Sequence, residues 1–252
     1  MKQIKQFSIW IIALAGWMIA GAATVQAQGV NMSRYITLTV QSGQPIRLKF
    51  KAAAVSTPVR VVSGANSTDV TVGTDWTAEQ NFTADGTTMT VYGDIDGFEC
   101  GGNRAELTAL DVSQNTQLEE LYCQNNRLPA LDVSQNTQLK GLGCSDNQLP
   151  ALDVSACTRL EELDCGGNDL TALDVSACTQ LKMLWCFENR LTALDVSACA
   201  QLEKLYCAKN NFSTAALNRL YCSLPDRTST TEGVIYSADN NTDPGHANVL
   251  AS

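Results

Sequence analysis

The sequence is almost without histidine, the side chain that most often serves as the general base in nucleophilic catalysis. Its single histidine, His246, lies in a polar stretch near the C-terminal end of the 252 residues. A serine or cysteine elsewhere in the chain therefore has no imidazole in its own segment to activate it. The chain also contains no C-x-x-C pair, the ligand spacing of many zinc sites. We expect neither an enzyme nor a protein that holds a metal or another cofactor.

Positive charge is scarce as well. Lysine and arginine number 17 against 26 aspartates and glutamates, which gives a formal net charge of −9. An acidic surface repels the phosphate backbone, so a nucleic-acid partner is not expected.

Long apolar runs are missing except at the start of the chain. The run "SIWIIALAGWMIAGAA" follows Lys2 and Lys5 and is followed by "VQA", a pattern typical of a cleaved signal peptide. Residues 1–27 contain these two lysines and no acid, so their removal takes the formal net charge from −9 to −11. We expect a secreted protein that does not insert into a membrane after signal removal.

One repeated pattern dominates the middle of the chain. Five consecutive 21-residue units, running from Leu107 to Asn211, share L-x-A-L-D-V-S-x-x-x-x-L-x-x-L-x-C-x-x-N-x. A degenerate unit, "FECGGN" at Phe98–Asn103, precedes them. A fixed internal period of this length indicates a solenoid, because each unit can bury its apolar side only by stacking on its neighbours.

The second half of each unit, L-x-x-L-x-C-x-x-N-x-L, matches the leucine-rich repeat signature with cysteine in place of one leucine. It resembles the bacterial leucine-rich repeat surface proteins, and among them the internalin J-type subgroup with 21-residue repeats and a cysteine ladder. The resemblance implies a short right-handed β-solenoid, or horseshoe, with a parallel sheet on its concave face. It also implies a secreted, periplasmic or cell-surface protein of a bacterium that binds another macromolecule.

Each L-x-C segment predicts a short strand whose leucine and cysteine point inward. The cysteines form a ladder, one per coil, at Cys100, Cys123, Cys144, Cys165, Cys186 and Cys207. An inward-turned asparagine that pairs with backbone groups follows in each full unit, at Asn126, Asn147, Asn168, Asn189 and Asn210. The ladder thiols are interpreted as reduced core residues, with disulfides between coils as the alternative.

The return path of each unit carries two further columns. Cys157, Cys178 and Cys199 stand where the first two units have asparagine, and we expect them to be partly exposed or oxidised. The aspartates of the D-V-S segments, from Asp111 to Asp195, point outward in a column. We interpret them as turn residues that bond nearby amides, and a row of calcium ligands as the less favoured alternative.

Both ends of the solenoid need a cap over the open core. Short, alternating, β-branched runs predict a small antiparallel β unit over residues 28–93, ahead of a solenoid at 94–211. Ser213 as N-cap, apolar residues at helical spacing and Pro225 as a stop predict a helix at about residues 214–224. This helix and a polar tail make up a C-terminal region at 212–252.

The variable residues that flank the cysteines point outward on the sheet, where a partner would bind. Large aromatic side chains from two neighbouring coils are expected side by side there, as in interface hot spots, unless a loop covers them. Gly141 and Gly143 predict a shallow notch beside an acidic pair. The candidate binding residues are Met183, Trp185, Phe187, Tyr206, Tyr122, Glu162 and Asp164.

These features favour a monomeric, non-enzymatic protein that binds a macromolecule, a protein above all, through its concave face, in adhesion or host interaction. Two alternatives stay open. The first is a structural spacer or self-assembly module without a dedicated ligand. The second is a glycan-binding protein, in which Trp185 and Tyr206 stack on sugar rings.

Overall fold

A computed structural model describes residues 29–225 and the strand at 234–236. The predicted signal peptide and most of the polar tail lie outside these residues. No helix in the described part is long and apolar enough to cross a bilayer.

The N-terminal region is built from six strands, whose pairings with one another are all antiparallel, as predicted. Their bounds are β1 Tyr35–Val40, β2 Pro45–Lys51, β3 Thr57–Ser63, β4 Asn66–Val72, β5 Gln80–Thr83 and β6 Thr88–Gly93. The sequence pattern missed β5, because "QNFT" has a single apolar residue and therefore no alternation. Its Phe82 is nevertheless buried against the core.

This region is joined to the solenoid through two sheets instead of simply preceding it. Strand β7 (Gly97–Glu99) of the first coil pairs antiparallel with β2, and β8 (Leu107–Asp111) pairs antiparallel with β1. One sheet therefore has the order β4-β3-β6-β1-β8, and the other runs from β5 and β2 through β7 into the repeats. The two strands of the first coil, β7 and β8, are therefore each hydrogen-bonded to a strand of the N-terminal region.

The repeats contribute one three-residue strand each to a parallel sheet. The strands are β9 Glu120–Tyr122, β10 Gly141–Gly143, β11 Glu162–Asp164, β12 Met183–Trp185 and β13 Lys204–Tyr206. They follow β7 in chain order, and β14 (Val234–Tyr236) extends the sheet beyond β13. The register is set by the 21-residue period, which places Leu121 beside Leu142 and Leu142 beside Leu163.

One continuous core runs through the cap and all coils. The inward leucines and ladder cysteines of the strands are at most 1% exposed. At about 25 cal/mol per Å² of apolar surface, this burial is the main force that stacks the coils.

A single helix, α1 (Thr214–Ser223), closes the far end, in agreement with the predicted C-terminal cap. The Ser213 side chain accepts a hydrogen bond from the Ala216 N–H, which satisfies one of the free amides of the first turn. Ala216 and Leu220 are the buried residues of the helix. Pro225, which cannot continue a helix, follows directly.

The asparagines of the ladder hold neighbouring coils together. The Asn168 side-chain Nδ2 donates to the carbonyls of Cys144 (3.0 Å) and Cys165 (3.1 Å), while its Oδ1 accepts from the Leu149 N–H (3.0 Å). The same pattern is found at Asn147, Asn189 and Asn210. Each polar side chain is thus buried together with partners that would otherwise be unsatisfied backbone groups.

The expectation that Cys157, Cys178 and Cys199 are partly exposed is wrong. All three are 0% exposed and carry free thiols. Their Sγ atoms point to carbonyls of the preceding coil, such as Val154 O at 3.8 Å from Cys178. Asn115 and Asn136 point the same way in the first two units, so cysteine replaces an inward asparagine and not a solvent-facing one.

The outward aspartates stabilise the return turns. Asp132 Oδ1 accepts from the Ser134 N–H at 2.9 Å, and the other four units repeat this bond. Hydrogen bonds from Ser134 lower the pKa of Asp132. No group of three or more potential ligands among the described residues is arranged to hold a metal ion.

Candidate binding face of the parallel sheet

The candidate binding face, which we call the sheet face, consists of the outward side chains of β9 to β13 and of the residues two places beyond each strand. Because strand side chains alternate, each coil contributes three such positions around its inward leucine and cysteine. The parallel register then aligns these positions into three columns along the stack. The sheet itself is fixed on both sides by hydrogen bonds, so the face is rigid.

Two aromatic rings stack near the C-terminal end of the sheet face. Trp185 and Tyr206 lie in the same column on adjacent strands, with ring centroids 5.8 Å apart and planes inclined by 10°. Both rings are half-buried, as are Met183 and Phe187. Phe187 leans the other way, since a Cβ built on Gly166 would lie 2.6 Å from its Cε1. The predicted cluster therefore forms, but in two parts.

A second aromatic pair lies near the N-terminal end of the sheet face. Tyr122 packs against Trp76, with centroids 5.8 Å apart and planes inclined by 51°. Trp76 also covers Gly97 of the first coil, where a Cβ would lie 3.0 Å from its ring. Sequence reasoning missed Trp76, because a tryptophan in a loop of the cap gives no sign that it reaches the repeats.

The Tyr122 ring occupies part of the predicted notch at Gly141 and Gly143. Both glycines are buried, and a Cβ on Gly143 would lie 2.8 Å from Tyr122 Cδ1. The glycines therefore make room for the tyrosine ring of the preceding coil. Burial, followed by the charges of Glu120 and Glu162, raises the pKa of Tyr122 to about 12, so the phenol stays protonated.

A depression of the sheet face begins at Gly143 and extends over the next coil. It has a volume of about 300 Å³ and is lined by Tyr122, Gln124, Leu142, Gly143, Glu162, Asp164 and Trp185. Tyr122 and Trp185 stand on its two sides in one column, with Gly143 and Asp164 between them. It brings together four of the predicted candidates, which are Tyr122, Glu162, Asp164 and Trp185.

The acidic residues of this depression differ from their neighbours. Glu99 and Glu120, nearer the cap, form salt bridges with Lys49 and Lys51. Glu162 and Asp164 have no salt-bridge partner within residues 29–225. Burial raises the pKa of Asp164, and hydrogen bonds from the Gly166 N–H and the Ser145 side chain oppose this only in part.

The ladder thiols are unsuited to chemistry. Burial raises the pKa of Cys123, Cys144, Cys165 and Cys186 well above the ordinary value. Thiols with so high a pKa hold almost no thiolate at neutral pH, and the thiolate is the reactive form. Cys222, on α1, is the one exposed cysteine of the ten.

The coil architecture is that of a leucine-rich repeat solenoid. Among solved structures, it is similar to the functional domain of InlJ from Listeria monocytogenes, which includes a cysteine ladder. The identity is 35% and the TM-score 0.49, over 57% of this chain and 30% of that one. That protein is of the internalin J type, which the repeat resembles in sequence.

Two further solved structures are similar to part of this chain. Internalin InlF from Listeria monocytogenes shares 21% identity, with a TM-score of 0.44, over 52% of this chain and 38% of that one. A leucine-rich repeat protein of Leptospira interrogans shares 25% identity, with a TM-score of 0.43, over 45% and 31%. The chain thus spans between 30% and 38% of the length of these three relatives. No family model matches it, and neither does any curated protein.

Proposed function

We propose that this protein is a secreted or surface-exposed bacterial leucine-rich repeat protein without enzymatic activity. It binds a protein partner through the concave sheet face, in adhesion or host interaction. The observation that carries this proposal is a set of half-buried aromatic side chains on the rigid parallel sheet, namely Tyr122, Trp185, Phe187 and Tyr206. Secretion is supported by the signal-peptide pattern of residues 1–27, and the adhesive role by the resemblance of the repeat to internalin-type proteins.

These aromatic side chains suit a binding hot spot for energetic reasons. Trp and Tyr dominate the energy of protein interfaces because they bury large areas at little cost in side-chain entropy. Trp185 and Tyr206 already restrict each other by stacking. A partner that covers them would pay little further ordering cost, so a larger part of the contact energy would remain as affinity.

The proposal is tested with the double variant Trp185→Ser/Phe187→Ser. The immobilised wild-type protein and the variant are incubated with extracts of host-cell and bacterial surfaces, and the captured proteins are compared. We expect wild type to capture a partner that the variant loses at least tenfold, because the substitutions remove the hot-spot side chains.

The matched control is Tyr35→Ser/Tyr92→Ser, which removes a half-buried aromatic pair with centroids 5.8 Å apart from the cap. It should leave capture unchanged. Equal loss in both double variants would contradict a role for the sheet face. Capture of nothing by wild type would favour the spacer, and capture of glycans alone would favour the sugar-binding alternative.

A further inference from the structure

The column of outward residues that contains the aromatic rings is interrupted in the middle of the stack. Trp76 and Tyr122 pack together before the interruption, and Trp185 and Tyr206 after it. Gly143 and Asp164 occupy the two coils between them. Two steps of the sheet, each roughly 4.8 Å, separate Gly143 from the Trp185 strand. The result is a depression with an aromatic ring on each side.

The polar atoms of this depression are mainly hydrogen-bond acceptors. Glu162 and Asp164 contribute carboxylates, and Gln124 contributes an Oε1 that is buried without a hydrogen-bond partner among the described residues. The Tyr122 hydroxyl is held by Glu120, which is itself paired with Lys51. A ligand group that fits such a lining carries several donors and positive charge.

No lysine or arginine of the described residues forms a salt bridge with the acids of this site, although the charge of Glu162 contributes to the raised pKa of Lys182. Each of Glu99, Glu119, Glu120, Glu161 and Glu188 has a lysine at salt-bridge distance. Glu162 and Asp164 have none in the part of the chain that the structure describes. Lys204 is the nearest in the column of Glu162, two strands away, or roughly 10 Å at the ordinary strand spacing.

We propose that the depression between Tyr122 and Trp185 is a recognition pocket for an arginine side chain of the partner. The guanidinium group stacks on an aromatic ring and donates hydrogen bonds to Asp164, Glu162 and the Gln124 Oε1. A guanidinium has five donors and no acceptor, and it is attracted to the faces of Trp and Tyr. This inference rests on the proposed function, because it names the chemistry of the partner that the sheet face binds.

Arginine fits the pocket better than the other ligands that aromatic rings attract. Sugar hydroxyls need donors as well as acceptors, and the two carboxylates offer only acceptors. Phosphate and other anions are repelled by the same carboxylates. Lysine brings charge but has only three donors on one nitrogen and no planar surface to stack.

The pocket is tested by titrating the isotope-labelled protein, residues 28–252, with N-acetyl-arginine amide and following the amide signal of Gly143 and the indole signal of Trp185 by NMR. N-acetyl-citrulline amide, which has the same shape without charge, is the matched ligand control. We expect both signals to shift with arginine in the millimolar range, roughly the affinity of a single side chain. Citrulline should bind at least fivefold more weakly.

Two variants assign the effect to the carboxylates. Asp164→Asn and Glu162→Gln should each weaken arginine binding three- to tenfold, whereas Glu203→Gln, an exposed carboxylate away from the pocket, should not change it. Asp164→Asn should also retain the melting temperature, because burial disfavours the charge that this substitution removes. The melting curve therefore separates a lost pocket from a lost fold.

The proposal is overturned if citrulline shifts both signals as strongly as arginine, or if Glu203→Gln weakens binding as much as Asp164→Asn. It is also overturned if methyl α-mannoside shifts the two signals and arginine does not. None of these three results depends on the capture experiment. A partner captured through Trp185 and Phe187 without arginine binding would leave the proposed function standing and remove only the pocket.

Discussion

The two ends of the repeat stack are closed in different ways. At the N-terminal end, β7 and β8 of the first coil pair with β2 and β1 of the cap, so both walls of the solenoid continue as hydrogen-bonded sheet. At the C-terminal end, only the parallel sheet continues, through the three-residue strand β14, and α1 adds two buried side chains, Ala216 and Leu220.

Because its two ends are closed differently, a stack of similar repeats can differ in stability from one end to the other. In a solenoid each coil contacts only its neighbours, so stability depends strongly on what is attached at the ends. Phe50 packs on Phe98 of the first coil and on Phe82 of β5, with centroids 6.0 and 6.1 Å apart. We infer that the N-terminal coils unfold together with the cap, whereas the last coils open locally.

The largest loss of stability is expected when the aromatic contact between Phe50 of the cap and Phe98 of the first coil is removed. Phe98 is 0% exposed, and Phe98→Ala is expected to lower the free energy of unfolding by about 3–5 kcal/mol, as for other buried phenylalanines. Leu220→Ala, in α1, should cost about 2–3 kcal/mol because the helix end can relax around the gap. Unfolding in urea, followed by circular dichroism, measures both. A Leu220 variant as unstable as the Phe98 variant would contradict the inferred difference between the ends.

The rate at which each cysteine thiol is alkylated shows how readily the coil that contains it opens. In the native protein only Cys222 should react quickly with iodoacetamide, because the other nine thiols are buried. Burial also raises the pKa of Cys157 and Cys199 to about 11 and that of Cys178 to about 12, so they react only when their coils open.

In mild urea, Cys207 should be labelled at least about 30-fold faster than Cys123, equivalent to about 2 kcal/mol in local opening energy. Peptide mass spectrometry after timed alkylation gives each rate. Uniform rates along the ladder would mean that the stack opens as one unit and that its ends do not differ.

The asparagine ladder extends the comparison to single hydrogen bonds. Asn168 in the middle of the stack uses both its Nδ2 and its Oδ1, whereas the Oδ1 of Asn126, next to the cap, has no partner among the described residues. Asn168→Ala should therefore destabilise the protein by about 1 kcal/mol more than Asn126→Ala, the worth of one buried hydrogen bond. Chemical denaturation measures the difference, and Asn211→Ala, at an exposed position, serves as the control with almost no effect.

The smallest change in stability is expected from a substitution in a column of side chains with alternating charge. Glu119, Lys140, Glu161, Lys182 and Glu203 follow one another at the 21-residue period, with 2.6 Å salt bridges from Lys140 to Glu119 and from Lys182 to Glu161. Lys140→Glu brings three acids together near the N-terminal end and should cost about 0.5 kcal/mol. The loss should disappear at about 1 M salt, where charges are screened within roughly 3 Å. A loss that persists in salt would point to packing instead of charge.

The repeat made much of the fold predictable. The period aligns every residue with its equivalent 21 places on, so the contact of Trp185 with Tyr206 follows from the sequence once the coil is recognised. Helix α1 was predictable from Ser213 and Pro225, because capping is a local interaction. Strand β5 was not, since "QNFT" has no alternation and is held by its pairing with β2.

The candidate site was predictable only in part. Tyr122, Glu162 and Asp164 were identified as outward residues, but the sequence did not show that the Tyr122 ring occupies part of the predicted notch or that the depression extends from Gly143 to Trp185. The error at Cys157 has a similar origin, because the direction of a side chain at a turn depends on the carbonyls of the coil beside it.

The sequence by itself determined the solenoid, its register, its two ladders on the strand side and its helical end, because these depend on a period and on local propensities. The tertiary structure decided how the N-terminal sheets join the first coil, which way the aromatic rings lean and where the acidic pocket lies. These features arise from contacts between residues far apart in the chain, such as Trp76 with Tyr122 and Phe50 with Phe98. No pattern within either segment encodes such a contact, since it depends on the space that the folded neighbours leave.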